Sequence, residues 1–223
     1  MAQLVNGYLL FWPGSPGNIK IEDLSQSSNL RIMSNERAYG WDFMEFKSNI
    51  PLDNEDHGIL SPPYLYKIMC RRSGPRVLLL STGKKIVDVL IEKEINTTLS
   101  PNLRPAHLKI NDLVHLIVKS PDRYLLTSVY CRTPAYGADL QSLSMFGDDV
   151  GNAELFREIM DRMTAYRCGL GRLRDRKEIV RLGSDGAISF FWENERRAKE
   201  VESTLNYLKN NNLIETDWNE VLK

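Results

Sequence analysis

Residues 112–133 constrain the fold of this chain more than any other stretch. The runs 113–118 (Leu113, Val114, His115, Leu116, Ile117, Val118) and 124–130 (Tyr124 to Tyr130) are short and rich in β-branched and aromatic residues, and Ser120-Pro121-Asp122 between them carries turn chemistry. The pattern predicts a hairpin. Apolar residues occupy both alternation classes of the first run, Val114, Leu116 and Val118 against Leu113 and Ile117. A strand pair of that kind is expected at the middle of a sheet, covered on both faces.

Around this centre the sequence predicts further elements. Residues 4–12 read as a first strand ended by Pro13-Gly14-Ser15-Pro16-Gly17, and residues 24–63 as ordered loop with short strands. Residues 64–70 and 76–82 flank Arg72-Ser73-Gly74-Pro75 as a second hairpin. Residues 83–95 fit both a strand and a helix, and helix is favoured because Ile86, Val87, Leu90 and Ile91 share one helical face. Residues 153–167 predict a helix with Leu155, Phe156, Ile159, Met160, Met163 and Tyr166 on one face, Asn152 as its cap and Gly169 as its stop. Ser184-Asp185-Gly186 predicts a third hairpin turn between residues 177–182 and 187–192. Residues 194–210 then form a helix whose stripe is Ala198, Val201, Leu205 and Leu208, closed by Asn210-Asn211-Asn212, with a short helix expected at 217–222.

The sum is an α+β chain, a mainly antiparallel sheet built from hairpins with helices packed on it from the C-terminal half. Residues 1–133 form the strand-rich part and residues 134–223 the helix-rich part with one hairpin, or the whole is one domain. A chain of 223 residues can bury a core without a staple. Three scattered cysteines, Cys70, Cys131 and Cys168, with no C-x-x-C pair, suit a reducing compartment, and a cytoplasmic location is expected. No apolar run approaches the roughly 20 residues that span a bilayer, so no membrane association is expected.

The formal net charge is zero, yet it is unevenly spread. Up to Pro62 there are four Lys/Arg against eight Asp/Glu, while residues 157–181 hold eight Lys/Arg against four acids. Within the basic segment lies Arg172-Leu173-Arg174-Asp175-Arg176-Lys177, preceded by Gly169 and Gly171 and followed by Arg181. Arginine pairs bidentately with phosphate, and a glycine-containing loop lets backbone N–H groups approach an anion. Arg172, Arg174, Arg176, Lys177 and Arg181 are therefore the candidate nucleic-acid-binding residues, against the plainer reading of a solvated, ion-paired linker. Phe190, Phe191 and Trp192 could stack bases, although consecutive strand residues face alternate sides and some of them must be core.

Other constellations carry less. Ser81-Thr82-Gly83-Lys84-Lys85 looks like the end of a phosphate-binding loop, but Leu78 stands where the first glycine belongs. Glu45-Phe46-Lys47, after Asp42, would put a carboxylate and an amine on one strand face, where with a divalent ion they activate water for phosphodiester cleavage. This resembles part of the signature of restriction-endonuclease-like nucleases, over these few residues. Residues 195–215 resemble the helix and Leu-Ile ending of winged-helix domains, which implies a DNA-binding tail. His57, His107 and His115 lack zinc-site spacing, and the acidic loop around His57 lacks that of an EF-hand, so no metal and no cofactor are expected. The three thiols are expected to be buried and structural. Without a complete catalytic motif, the expected function is a non-catalytic binding or adaptor subunit. Its partner would be nucleic acid or an acidic protein surface, with self-association possible; a metal-dependent nuclease and a DNA-binding tail are the alternatives.

Overall fold

The computed structural model describes residues 5–12, 30–38, 41–48, 64–71, 76–81, 104–133, 141–174, 176–191 and 194–215. The chain divides into two compact units, one holding residues 6–106 and the other residues 107–215. The expectations for residues 83–95 and 217–222, for Lys84 and Lys85, and for the loop around His57 lie outside the described residues.

In the first unit β1 (Val5–Trp12), β2 (Leu30–Ala38), β3 (Trp41–Ser48), β4 (Tyr64–Arg71), β5 (Arg76–Ser81) and β6 (Arg104–Pro105) pair only antiparallel. The hairpin expected across Arg72-Ser73-Gly74-Pro75 is β4–β5, with Cys70 opposite Leu78. Residues 24–63 contain more strand than expected: β2 and β3 pair from Ala38 opposite Trp41 back to Leu30 opposite Ser48, with an irregularity between Ile32 and Ser34.

The second unit begins with a helix where a strand is expected. Residues 113–118 are not the first arm of a hairpin; they lie in helix α1 (Ile110–Lys119). Its buried residues Ile110, Leu113, Val114 and Ile117 recur at steps of three, one and three, which is the period of a helical face. The same spacing places apolar residues in both alternation classes, which is why the run passes for a doubly covered strand. Asp112 in the first turn and Lys119 in the last suit the helix dipole, and Pro121 stands just past the Ser120 cap.

After α1 come β7 (Tyr124–Arg132), β8 (Ser142–Phe146), α2 (Glu154–Ile159), β9 (Thr164–Arg172), β10 (Glu178–Gly183), β11 (Ala187–Phe190) and α3 (Asn194–Asn210). The strands form an antiparallel sheet in the order β8-β7-β9-β10-β11. The change of character at residues 133–134 falls inside this sheet, because β7 pairs with both β8 and β9.

Residues 153–167 are not one helix. The helix ends at Ile159, a 3-10 turn covers Met160–Arg162, and residues from Thr164 onward are strand. Leu155, expected on the buried face, is 61% exposed, and the helix cap Ala153 makes no side-chain capping bond, so Asn152 is not the cap. Gly169 stops nothing; it sits in mid-strand opposite Ser128 on β7 and Arg181 on β10.

The third hairpin, β10–β11, matches expectation, with Gly186 at φ 81° in the turn and its N–H donating to the Gly183 carbonyl at 3.1 Å. Helix α3 also matches, and Val201, Leu205 and Leu208 are buried. Its end is a Schellman motif: Asn212 takes φ 54°, Leu213 N donates to Leu208 O at 2.9 Å, and Asn212 N donates to Lys209 O at 3.0 Å. Ile214 then bridges to Leu108, tying this end of the chain to the start of the unit. Among the described residues no helix is long and apolar enough to cross a membrane.

Helices α1 and α3 cover one face of the sheet. Leu126 and Val118 of α1 both approach Gly151, and Tyr124 meets Tyr207 of α3 edge-on at 4.9 Å between ring centroids. The core between sheet and helices includes Leu126, Val129, Cys168, Leu170, Val180 and Leu182, each at most 1% exposed.

Candidate functional site

The face opposite the helices is shaped by bulges. A regular strand turns successive side chains to opposite faces, but one extra residue puts two neighbours on the same side. The register between β7 and β9 shifts between Leu126 and Ser128. Thr127 and Ser128 consequently share a side, and both donate to Glu178 Oε2, at 3.1 and 2.9 Å. Glu178 Oε1 lies 2.6 Å from Arg181 Nη2, off the hydrogen-bonding direction, and Arg181 Nε has no acceptor among the described residues. Gly169 lies beneath this cluster, where any Cβ would overlap both Glu178 Oε2 and Ser128 Oγ. Gly171 is similarly crowded, with Thr127 Cγ2 at 2.8 Å and the Lys177 carbonyl at 2.9 Å from the place of a Cβ.

A second shift, between Tyr130 and Cys131, leaves Tyr166 as the extra residue on β9 and brings it to the side of Tyr130, their centroids 6.5 Å apart. Phe146 stands edge-on to Tyr130 at 5.5 Å and is 65% exposed. The guanidinium of Arg181 lies over Tyr130 at 5.8 Å and over Phe191 at 5.3 Å, and that of Arg132 over Tyr166 at 5.9 Å. Of the three aromatics singled out in the sequence, Phe190 is buried among the core, Phe191 is half-buried on this face, and Trp192 lies outside the described residues.

The five candidate phosphate-binding residues therefore separate. Arg172 ends β9 on the helix side, where it ion-pairs with Glu200, a carboxylate only 6% exposed. Arg181 belongs to the Glu178 cluster. Arg174, Arg176 and Lys177 lie exposed in the link between β9 and β10. That link is closed by the Arg176 N–H donating to the Arg172 carbonyl at 3.0 Å, with Arg176 at φ 53°.

Glu45 and Lys47 lie two residues apart on β3, opposite Lys67 and Leu65 of β4. His107 is exposed, His115 is half-buried on α1, and no three His, Cys, Asp or Glu side chains group as a metal site among the described residues.

Cys131 and Cys168 lie on the helix side of the sheet, at 1% and 0% exposure. Cys168 is in mid-strand rather than at a helix end. Burial pushes the Cys131 thiol up to about 11. Burial, then the Glu178 carboxylate, then Cys131 raise the Cys168 thiol. Burial, then Asp122, pushes Tyr207 up to about 12. These groups are neutral when protonated, so their contribution is complete below the unfolded values, roughly 8.5 for Cys and 10 for Tyr, and is lost as pH rises through the folded values. The thermal midpoint is expected to hold steady to about pH 8 and fall steadily towards pH 11. A midpoint followed by circular dichroism that stays flat across that interval would contradict the burial of these groups.

The Glu178 cluster and the bulges were beyond sequence reasoning, since Thr127, Ser128 and Glu178 lie some 50 residues apart in the chain. The available signal was glycine: Gly169 and Gly171 within a β-rich segment mark close approach of neighbouring groups. No protein-family model matches the chain, and a search of curated proteins finds no significant relative.

Proposed function

We propose that this chain is a non-catalytic binding subunit that contacts nucleic-acid phosphates through the basic link between β9 and β10. Arg174, Arg176 and Lys177 make the contacts, Arg172 anchors one end of the link to α3, and Arg181 fixes the strand that follows. The observation that carries this reading is the backbone of Arg176. A left-handed conformation costs a residue with a Cβ about 1 kcal/mol, a cost that glycine avoids. At this position an arginine, exposed and with Arg174 and Lys177 exposed nearby, holds three cationic heads on one short link, the arrangement that phosphate contact requires. The overall charge of zero makes such local charge the relevant quantity, because no long-range attraction to a polyanion comes from the chain as a whole.

Arg176→Gly separates binding from folding. Stability is expected to stay equal or rise by up to about 1 kcal/mol in denaturant unfolding, while affinity for a mixed-sequence oligonucleotide falls. Replacing Arg174, Arg176 and Lys177 together with Ala should weaken binding uniformly across sequences and reduce the log-log salt slope by up to about three, one for each lost phosphate contact. Unchanged affinity and slope in the triple variant defeat the reading. Loss of a captured acidic protein with oligonucleotide binding intact assigns the link to an adaptor role instead.

A further inference from the structure

We propose that the face of the β8-β7-β9-β10-β11 sheet opposite α1 and α3 is a stacking platform for single-stranded nucleic acid, its bases lying against Phe146, Tyr130, Tyr166 and Phe191. The proposal rests on the phosphate-contact reading and names the form of nucleic acid that the same sheet would take. Two register shifts bring these rings to one side of the sheet, next to the buried Thr127 and Ser128, and the rings themselves stay partly open. Phe146 is 65% exposed, while Tyr130, Tyr166 and Phe191 are half-buried, so each ring is supported from below and open in part.

Charge selects the occupant. Arg132, Arg167 and Arg181 belong to this face by register, Arg132 opposite Thr164, Arg167 opposite Tyr130 and Arg181 opposite Gly169. Its buried-side carboxylate, Glu178, already accepts from two hydroxyls and lies against Arg181. The face therefore offers aromatic surface interleaved with cations, two of which already lie over rings. Unstacked bases on a polyanionic backbone fit both features, whereas a duplex keeps its base faces inside the stack. Position agrees as well. Tyr166 lies near the start of β9 and the basic link begins just past its end at Arg172, roughly 20 Å further along the strand at 3.3 Å per residue. A strand several nucleotides long would meet the rings with its bases and the link with its phosphates.

The test compares a fluorescein-labelled single-stranded oligo-dT of 12 nucleotides, longer than this span and within the roughly 4–16 nucleotides that sheet-based single-strand sites cover, with a duplex of equal length. The proteins are the full chain, Phe146→Ala, Tyr166→Ser, and the Arg174/Arg176/Lys177 triple Ala variant. Phe146→Ala and Tyr166→Ser should each lower single-strand affinity by about tenfold, with duplex affinity and the salt slope unchanged. The triple variant should lower both and flatten the slope. Equal affinity for single strand and duplex in the full chain, unaltered by either aromatic substitution, overturns the platform and leaves the phosphate reading standing. No binding by the full chain overturns both. A sedimentation shift to a smaller species in Phe146→Ala, with oligo-dT binding unchanged, overturns the platform in favour of a second copy of this chain on that face.

Discussion

Leu113→Asp is expected to leave no soluble native protein, whereas Leu116→Asp, on the same helix, should fold with a loss of about 1 kcal/mol. Leu113 is 0% exposed and lies on the α1 face turned to β7 and β9, while Leu116 is half-buried at its margin. An aspartate at position 113 has neither water nor a partner, and an unpaired buried carboxylate costs several kcal/mol, a large share of the roughly 5–15 kcal/mol that holds a domain together. At position 116 the carboxylate reaches solvent and only part of an apolar contact is lost. The contrast is also a test of the element itself. In a doubly covered strand these two positions face opposite sides and both are core, so both substitutions would be ruinous. Soluble yield and denaturant midpoints of the two variants decide it; equal loss in both would mean that residues 110–119 are not a helix.

How far the fold can be read from the residues follows from where the determining contacts lie. The hairpin at Ser184-Asp185-Gly186 and the end of α3 at Asn212 are fixed by neighbours within a few positions, by a glycine or asparagine that tolerates positive φ, and both are legible. Helix α3 is legible for the same reason, its stripe being narrow and its opposite side charged. Helix α1 is ambiguous because its β-branched residues favour strand while their spacing fits a helix, and packing on β7 and β9 decides between them. Residues 164–172 are harder still. The helical pattern of residues 153–167 runs on from α2 into the first four of them, but β9 is the central strand of the five, and pairing on both sides overrides the local signal.

The candidate site divides along the same line. Exposure of Arg174, Arg176 and Lys177 follows from a polar segment between glycines and a strand, and the sequence shows it. That Arg172 turns to the helices and meets Glu200 depends on which side of β9 it falls, and that in turn depends on the bulge near Tyr166. The Glu178 cluster and the aromatic face arise from two register shifts that no local pattern announces. Arg181, grouped with the other arginines by sequence, is instead held by a carboxylate three residues before it and by rings from β7 and the end of β11.

Gly169→Ala carries the other large expected effect, a loss of about 3 kcal/mol or more in unfolding free energy. The methyl group would occupy the space of Glu178 Oε2 and Ser128 Oγ, and neither can withdraw without loss. Ser128 is fully buried, and Glu178 is held by Thr127, Ser128 and Arg181 together, so displacing it breaks two hydrogen bonds and leaves a guanidinium without its carboxylate. Overpacking alone costs typically 1–3 kcal/mol, and breaking the buried cluster adds to it. Gly147→Ala is the control, since a Cβ there meets only Val150 Cγ2 at 3.8 Å, an ordinary contact, and its effect should stay within about 0.5 kcal/mol. Combining Gly169→Ala with Glu178→Ala removes the main overlap. The pair should therefore cost at least about 1 kcal/mol less than the sum of the single changes. Strict additivity in that cycle, or a Gly169→Ala variant as stable as the parent chain, would show that Glu178 is not seated over Gly169, and the bulged arrangement of Thr127 and Ser128 would fall with it.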